Sequence, residues 1–74
     1  MAIQHLNGFR TYYENWGGTN AQFLVTSGEV DKGQAIMECY RGYLHFEIRR
    51  APYTYKYGGG NGDCRLNPRD FFDL

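Results

Sequence analysis

Tyr40-Arg41-Gly42-Tyr43-Leu44-His45-Phe46-Glu47-Ile48-Arg49-Arg50-Ala51-Pro52-Tyr53-Thr54-Tyr55-Lys56-Tyr57 holds five of the chain's seven tyrosines and four of its eight Lys/Arg residues. Leu44, Phe46 and Ile48 alternate with His45, Glu47 and Arg49, the pattern of a strand with one dry face. Tyr53, Tyr55 and Tyr57 alternate with Thr54 and Lys56 and predict a second strand. Read as a hairpin, the two segments admit two registers. An even loop sets Ile48 against Tyr53 and Phe46 against Tyr55, which puts the tyrosines on the apolar face. An odd loop sets Arg49 against Tyr53 and Glu47 against Tyr55, and the rings then line a polar face as a stacking platform. A slip of one residue reverses every side chain. Three-residue loops want a residue in the left-handed conformation, and Arg50-Ala51-Pro52 has no glycine for it, so the even register is favoured.

Working outward, Phe9–Glu14 and Ala21–Thr26 are rich in β formers. Asn15-Trp16-Gly17-Gly18-Thr19-Asn20 between them has turn chemistry, so they predict a second hairpin. Thr26-x-x-Glu29 and Asp31-x-x-Gln34 both fit a capping box, and Gly33, costly in a helix interior, favours the later start with that glycine in the first turn. Ile36, Cys39, Tyr40 and Tyr43 follow the i, i+3, i+4, i+7 spacing of a buried helical stripe, and Gly42 suits a helix stop. A helix is therefore predicted over Asp31–Arg41. Asn67-Pro68-Arg69-Asp70 reads as a cap and first turn leading into a short C-terminal helix or tail with Phe71, Phe72 and Leu74. The predicted fold class is α+β: a small antiparallel sheet in ββαββ order, with one helix packed on a face. Residues 1–74 read as one domain, without internal repeats or a linker long enough to divide it.

A chain of 74 residues is short of core, and chains of this size usually need a disulfide, a metal, a partner or dense packing. Here the compensation is aromatic: seven Tyr, five Phe and Trp16. Formal net charge is zero, which argues against a general nucleic-acid binder. The charge is segregated, however. Residues 1–39 are acidic on balance through Glu14, Glu29, Asp31 and Glu38, and the 40–57 stretch is basic through Arg41, Arg49, Arg50 and Lys56.

Catalytic chemistry is poorly represented. Ser27 is the only serine, His5 and His45 have no partner at a motif spacing, and Cys39 falls on the predicted buried stripe, where a thiol is inert. The carboxylate pairs, Asp70 with Asp73 and Glu29 with Asp31, sit where caps and helix dipoles explain them. Cys39, Cys64, His5 and His45 lack the short spacings of a zinc site. A Cys39–Cys64 disulfide would require an oxidising compartment. The Gly58-Gly59-Gly60-Asn61-Gly62-Asp63 run lacks the ending of a phosphate loop and reads as a mobile surface loop. No enzyme activity, cofactor or metal is expected. The N-terminal residues lack the regions of a signal peptide, and no apolar run approaches the length of a membrane span, so a cytoplasmic protein is expected.

In size, aromatic density and lack of a catalytic motif, the whole chain resembles the small phage-encoded inhibitors of bacterial defence, of the anti-CRISPR type. The resemblance implies a stoichiometric inhibitor of a nucleic-acid-handling complex in a bacterial cytoplasm. It transfers no functional residue. Independently, the residues predict a protein-binding surface formed by Trp16, Arg41, His45, Glu47, Arg49, Arg50 and Lys56, because Tyr, Trp and Arg anchor protein contacts. Its partner would be a larger protein or ribonucleoprotein complex. The alternatives are a single-stranded RNA or DNA module using Tyr53, Tyr55, Tyr57, Arg49 and Lys56, and a self-associating subunit. The chain itself would be a monomer or a small homo-oligomer with no membrane role.

Overall fold

Strand Leu44–Arg49 lies inside a four-stranded antiparallel sheet, and its neighbours are not the ones its sequence context suggests. The computed structural model describes residues 1–15, 21–40 and 43–72. Six strands are formed: β1 (Ala2–Gln4), β2 (Arg10–Asn15), β3 (Ala21–Phe23), β4 (Met37–Cys39), β5 (Leu44–Arg49) and β6 (Arg65–Leu66). The larger sheet has the order β1-β2-β5-β6, and β3 and β4 form a separate two-stranded sheet.

The registers explain the layering. Ile3, Thr11, Ile48 and Leu66 stand opposite one another across the four strands. Opposed residues of an antiparallel ladder share a face, so this row, with Tyr13 and Phe46 beside it, makes the apolar face. Ile48 is 4% exposed and Thr11 8%. The buried Thr11 hydroxyl is satisfied by His5 Nε2 at 2.8 Å. Phe46 packs against Tyr13 and Phe72, with ring centroids 5.4 and 5.8 Å apart, and Phe9 meets Phe71 edge-on at 5.5 Å. The C-terminal segment thus lays its two phenylalanines on the sheet. Asn67 caps a single 3-10 turn over Pro68–Asp70, its Oδ1 accepting from the Arg69 N–H at 3.0 Å.

Three expectations are corrected. The α+β class does not hold: among the described residues there is no α-helix, and most of the predicted helix is a turn followed by β4. The capping-box chemistry at Asp31 is present in part, with Asp31 N–H donating to Gln34 Oε1 at 2.9 Å. Gln34 N–H closes a turn onto the Asp31 carbonyl at 3.0 Å instead of starting a helix. Gly33 sits at φ 84°, outside the helical region. An eleven-residue helix is marginal by itself, and pairing with β3 overrides so weak a preference. Second, the Phe9–Glu14 and Ala21–Thr26 segments do not pair. β2 takes β1 and β5, and β3 takes β4. Strand β1 was unforeseen because residues 1–8 carry little periodicity. Third, neither register of the proposed 44–57 hairpin exists, since β2 and β6 occupy both edges of β5. The chain turns at Arg50–Tyr53, where Tyr53 N–H donates to the Arg50 carbonyl at 2.9 Å and Tyr53 takes φ 70°. Tyr53 to Tyr57 follow as a non-strand segment.

Cys39 is exposed and Cys64 is 2% exposed, and both are free thiols. The expected burial of Cys39 depended on the helix that is absent. Between the two sheets lies an open groove of about 1370 Å³, whose apolar lining includes Ile3, Tyr13, Phe23, Val25, Ile36 and Phe72.

Candidate interaction face

The face of the larger sheet opposite the core is polar by the same registers. Gln4, Arg10, Arg49 and Arg65 stand opposite one another on β1, β2, β5 and β6. Three arginines in one cross-strand row would repel if bare, and the structure shows how each is accommodated. Arg10 donates from Nε to Gln4 Oε1 at 2.9 Å, and its guanidinium lies 3.8 Å from the centroid of Tyr53. Arg49 makes an ion pair with Glu47 Oε1 at 2.7 Å and donates from Nη1 to the Tyr53 carbonyl at 3.0 Å. It stacks on Tyr12 at 4.0 Å and approaches Tyr55 at 5.4 Å. Arg65 pairs with Asp63 Oδ2 at 2.7 Å and stacks on Tyr55 at 4.4 Å. Arginine and tyrosine therefore alternate across the face, and a guanidinium over a ring contributes roughly 0.5–1 kcal/mol at exposed sites.

The segment after the Arg50 turn supplies the outer rings. Tyr53 Oη donates to the Gly8 carbonyl at 2.6 Å and accepts from Gln4 Nε2 at 3.0 Å. Thr54 Oγ1 donates to the Gly62 carbonyl and meets Cys64 Sγ at 3.1 Å. Cys64 N–H donates to the Thr54 carbonyl at 2.9 Å, and Arg50 N–H to the Cys64 carbonyl at 3.0 Å. The segment is pinned to the sheet edge through its backbone, which aims Tyr53 and Tyr55 inward over the arginines.

Beside the row, Glu14, His45, Glu47, Arg49 and Tyr55 line a shallow cleft of about 250 Å³. Glu47 is its electrostatic centre, holding His45 Nε2 at 2.7 Å on one oxygen and Arg49 on the other. Burial pushes the Glu47 carboxyl up, but the hydrogen bonds from His45 and Arg49 and their charges outweigh it, and its pKa lies below the ordinary value. Asp63 is held at about 2 by its hydrogen bonds from Arg65, against an opposing burial effect. The Thr54 contact pulls the Cys64 thiol below its usual value, again against burial. Glu14, Glu47 and Asp63 match the three arginines of the row in number. The face is rich in donors and rings and nearly neutral.

Of the residues singled out in the sequence, His45, Glu47 and Arg49 come together here, with Tyr53 and Tyr55 above them. Arg50 is exposed beyond the end of β5, and Lys56 reaches the Asn61 carbonyl at 3.2 Å in the glycine-rich loop. Tyr57 is 90% exposed and away from the row. Trp16 and Arg41 lie outside the described residues. Sequence reasoning missed Gln4, Arg10, Tyr12, Asp63 and Arg65. The alternation Arg10-Thr11-Tyr12-Tyr13-Glu14 is the mirror of His45–Arg49, and that complementarity was the available signal. A two-residue strand at Arg65 leaves none.

No family model, curated protein or solved structure matches the chain. Among the described residues, no helix is long and apolar enough to cross a membrane, and no group of three or more His, Cys, Asp or Glu could hold a metal ion.

Proposed function

We propose that this chain is a small non-enzymatic binding protein that inhibits or modulates a larger nucleic-acid-handling complex by stoichiometric contact through the Arg–Tyr face. One observation carries the choice of a protein partner: the cations of the row are already engaged within the chain, by Glu47, by Asp63 and by the faces of Tyr12, Tyr53 and Tyr55. A guanidinium over a ring takes that face from base stacking, and Tyr12, Tyr53 and Tyr55 each carry one. Arginines neutralised by carboxylates release few counterions from phosphate, the main source of nucleic-acid affinity. A preformed, nearly neutral surface of Tyr and Arg suits the centre of a protein contact. The identity of the partner class rests on the resemblance to phage-encoded inhibitors, which implies a bacterial cytoplasm as the setting.

The test titrates the chain into bacterial RNA-guided nuclease reactions. Inhibition should saturate at a fixed ratio of chain to complex, and Tyr55→Ala should weaken it by about tenfold or more, as for an interface anchor. Direct binding of the chain to single-stranded RNA or DNA that weakens steeply with salt and is reduced by Tyr55→Ala, with inhibition that never saturates at a fixed ratio of chain to complex, would overturn the reading in favour of the nucleic-acid module.

A further inference from the structure

The chain exposes 5925 Å². A compact monomer of 8.6 kDa exposes roughly 4,700 Å². The surplus, about 1,200 Å², exceeds the roughly 800 Å² that each partner contributes to a standard stable interface. The radius of gyration agrees, at 13.2 Å against roughly 11 Å for a compact chain of this length. Only Ile48 and Cys64 are buried apolar residues among those described, and Phe23, Leu24, Phe71 and Phe72 are each 43% exposed or more. Part of this exposed apolar surface lies at the groove between the sheets and at β3–β4, through Phe23, Leu24 and Phe72, and a two-stranded sheet of this kind is marginal alone.

The backbone of β3 indicates what completes it. Leu24 N–H donates to the Ile36 carbonyl at 2.8 Å, toward the β4 side. Amides alternate in direction along a strand, so Gln22 also faces β4, and the N–H and C=O groups of Ala21 and Phe23 face the outer edge. No other strand pairs with that edge among the described residues. We propose that two copies of this chain associate about a two-fold axis through the β3 edge, with Gln22 on the axis. Ala21 of each copy then stands opposite Phe23 of the other, in a pair whose N–H and C=O groups already point at each other. The result is a four-stranded sheet, β4-β3-β3-β4. Its apolar face, with Phe23 of each copy at the groove, becomes continuous.

Charge favours a second copy as the occupant. The net charge is zero, so identical chains do not repel. Pairing through β4 would instead set Glu38 against Glu38 of the other copy, which like-charge repulsion disfavours. The two-fold pairing leaves the Arg–Tyr face unused and is independent of what that face binds.

Sedimentation or light scattering of the full chain from ~1 to ~500 µM tests this, because association makes mass and melting temperature depend on concentration. The expected mass is that of two chains, with a melting temperature that rises with concentration. Ala21→Pro removes only an outward N–H, which an unpaired edge tolerates, and should weaken the dimer at least about tenfold. Gln22→Lys gains an opposite charge across the ladder at Glu38 within the chain but sets like charges together on the axis. It should stay folded and shift toward monomer. A mass of one chain across the whole range, an open series of larger species, or a dimer that neither substitution weakens overturns the proposal.

Discussion

Arg49 and Tyr12 meet diagonally across β5 and β2, the guanidinium carbon 4.0 Å from the ring centroid, while the same arginine holds Glu47 Oε1 at 2.7 Å. Arg49 and Glu47 keep only 17% and 11% of their side-chain surface exposed. Removing one partner of such a pair leaves the other charge partly buried and under-compensated, so Arg49→Met should destabilise the fold by about 2–3 kcal/mol. Urea midpoints with unchanged slopes measure it. The Glu47 carboxyl should also titrate at higher pH in the variant, since the hydrogen bond and charge of Arg49, which lower it alongside the His45 hydrogen bond, are gone while burial remains. An unchanged Glu47 titration would show that His45 alone holds it.

Asp63 gives the clearest pH dependence. Its carboxyl is held at about 2, against an ordinary value of 3.8, by Arg65. A carboxylate with a depressed folded pKa contributes stability that is full above the unfolded value and is lost as pH falls through the folded one. The melting temperature should therefore fall between about pH 4 and pH 2, and Asp63→Asn should flatten that part of the profile while lowering the plateau. A variant with the parental slope below pH 4 would assign the acid transition to other carboxylates.

The two thiols should separate cleanly under a labelling reagent. Cys39 is exposed on β4, and Cys64 is 2% exposed between Thr54 and Arg50. Reactivity needs both thiolate and access. The Thr54 contact lowers the Cys64 thiol, but access governs, so one equivalent of thiol should react at once and the second only at the rate of opening. Mass spectrometry of partially labelled chain identifies which is which. Fast labelling at Cys64 would mean that the 53–64 segment detaches readily from the sheet.

How far the fold is legible follows from where its information lies. The alternation of Leu44 to Arg49 predicts a strand with one dry face, and β5 is that strand, with Ile48 4% exposed. Its alternation cannot name its neighbours, because β2 and the tyrosine segment both offer compatible patterns. The competition is decided at Pro52 and Tyr53. Proline has no N–H to give a ladder, and Tyr53 at φ 70° turns the chain out of the strand direction. The tyrosines consequently reach the arginines from a loop, a placement that no register argument contains. His45, Glu47 and Arg49 were legible as one polar face. Their partners Arg10, Tyr12 and Arg65 were not, since contacts of long sequence separation leave no local period.

The helix reading fails at Gly33, and the same residue supplies an experiment whose sign separates the two structures. In the predicted helix Gly33 would sit in the first turn, where replacing it by alanine would stabilise, by at most the roughly 1 kcal/mol of a helix interior. In the turn seen here Gly33 has φ 84°, and an added Cβ would meet nothing within 4 Å. Steric crowding by neighbours is therefore not the obstacle. The cost is the left-handed backbone itself, about 1–2 kcal/mol for an L-residue with a Cβ. Gly33→Ala should accordingly lower stability by about 1 kcal/mol and leave the far-ultraviolet spectrum β-like, whereas Gly33→Asn, which tolerates φ > 0, should lose less. The ordering Gly, then Asn, then Ala in urea midpoint is the signature of the turn. A stabilising alanine with new helical ellipticity would place residues 31–41 back in a helix and remove β4 as the partner of β3.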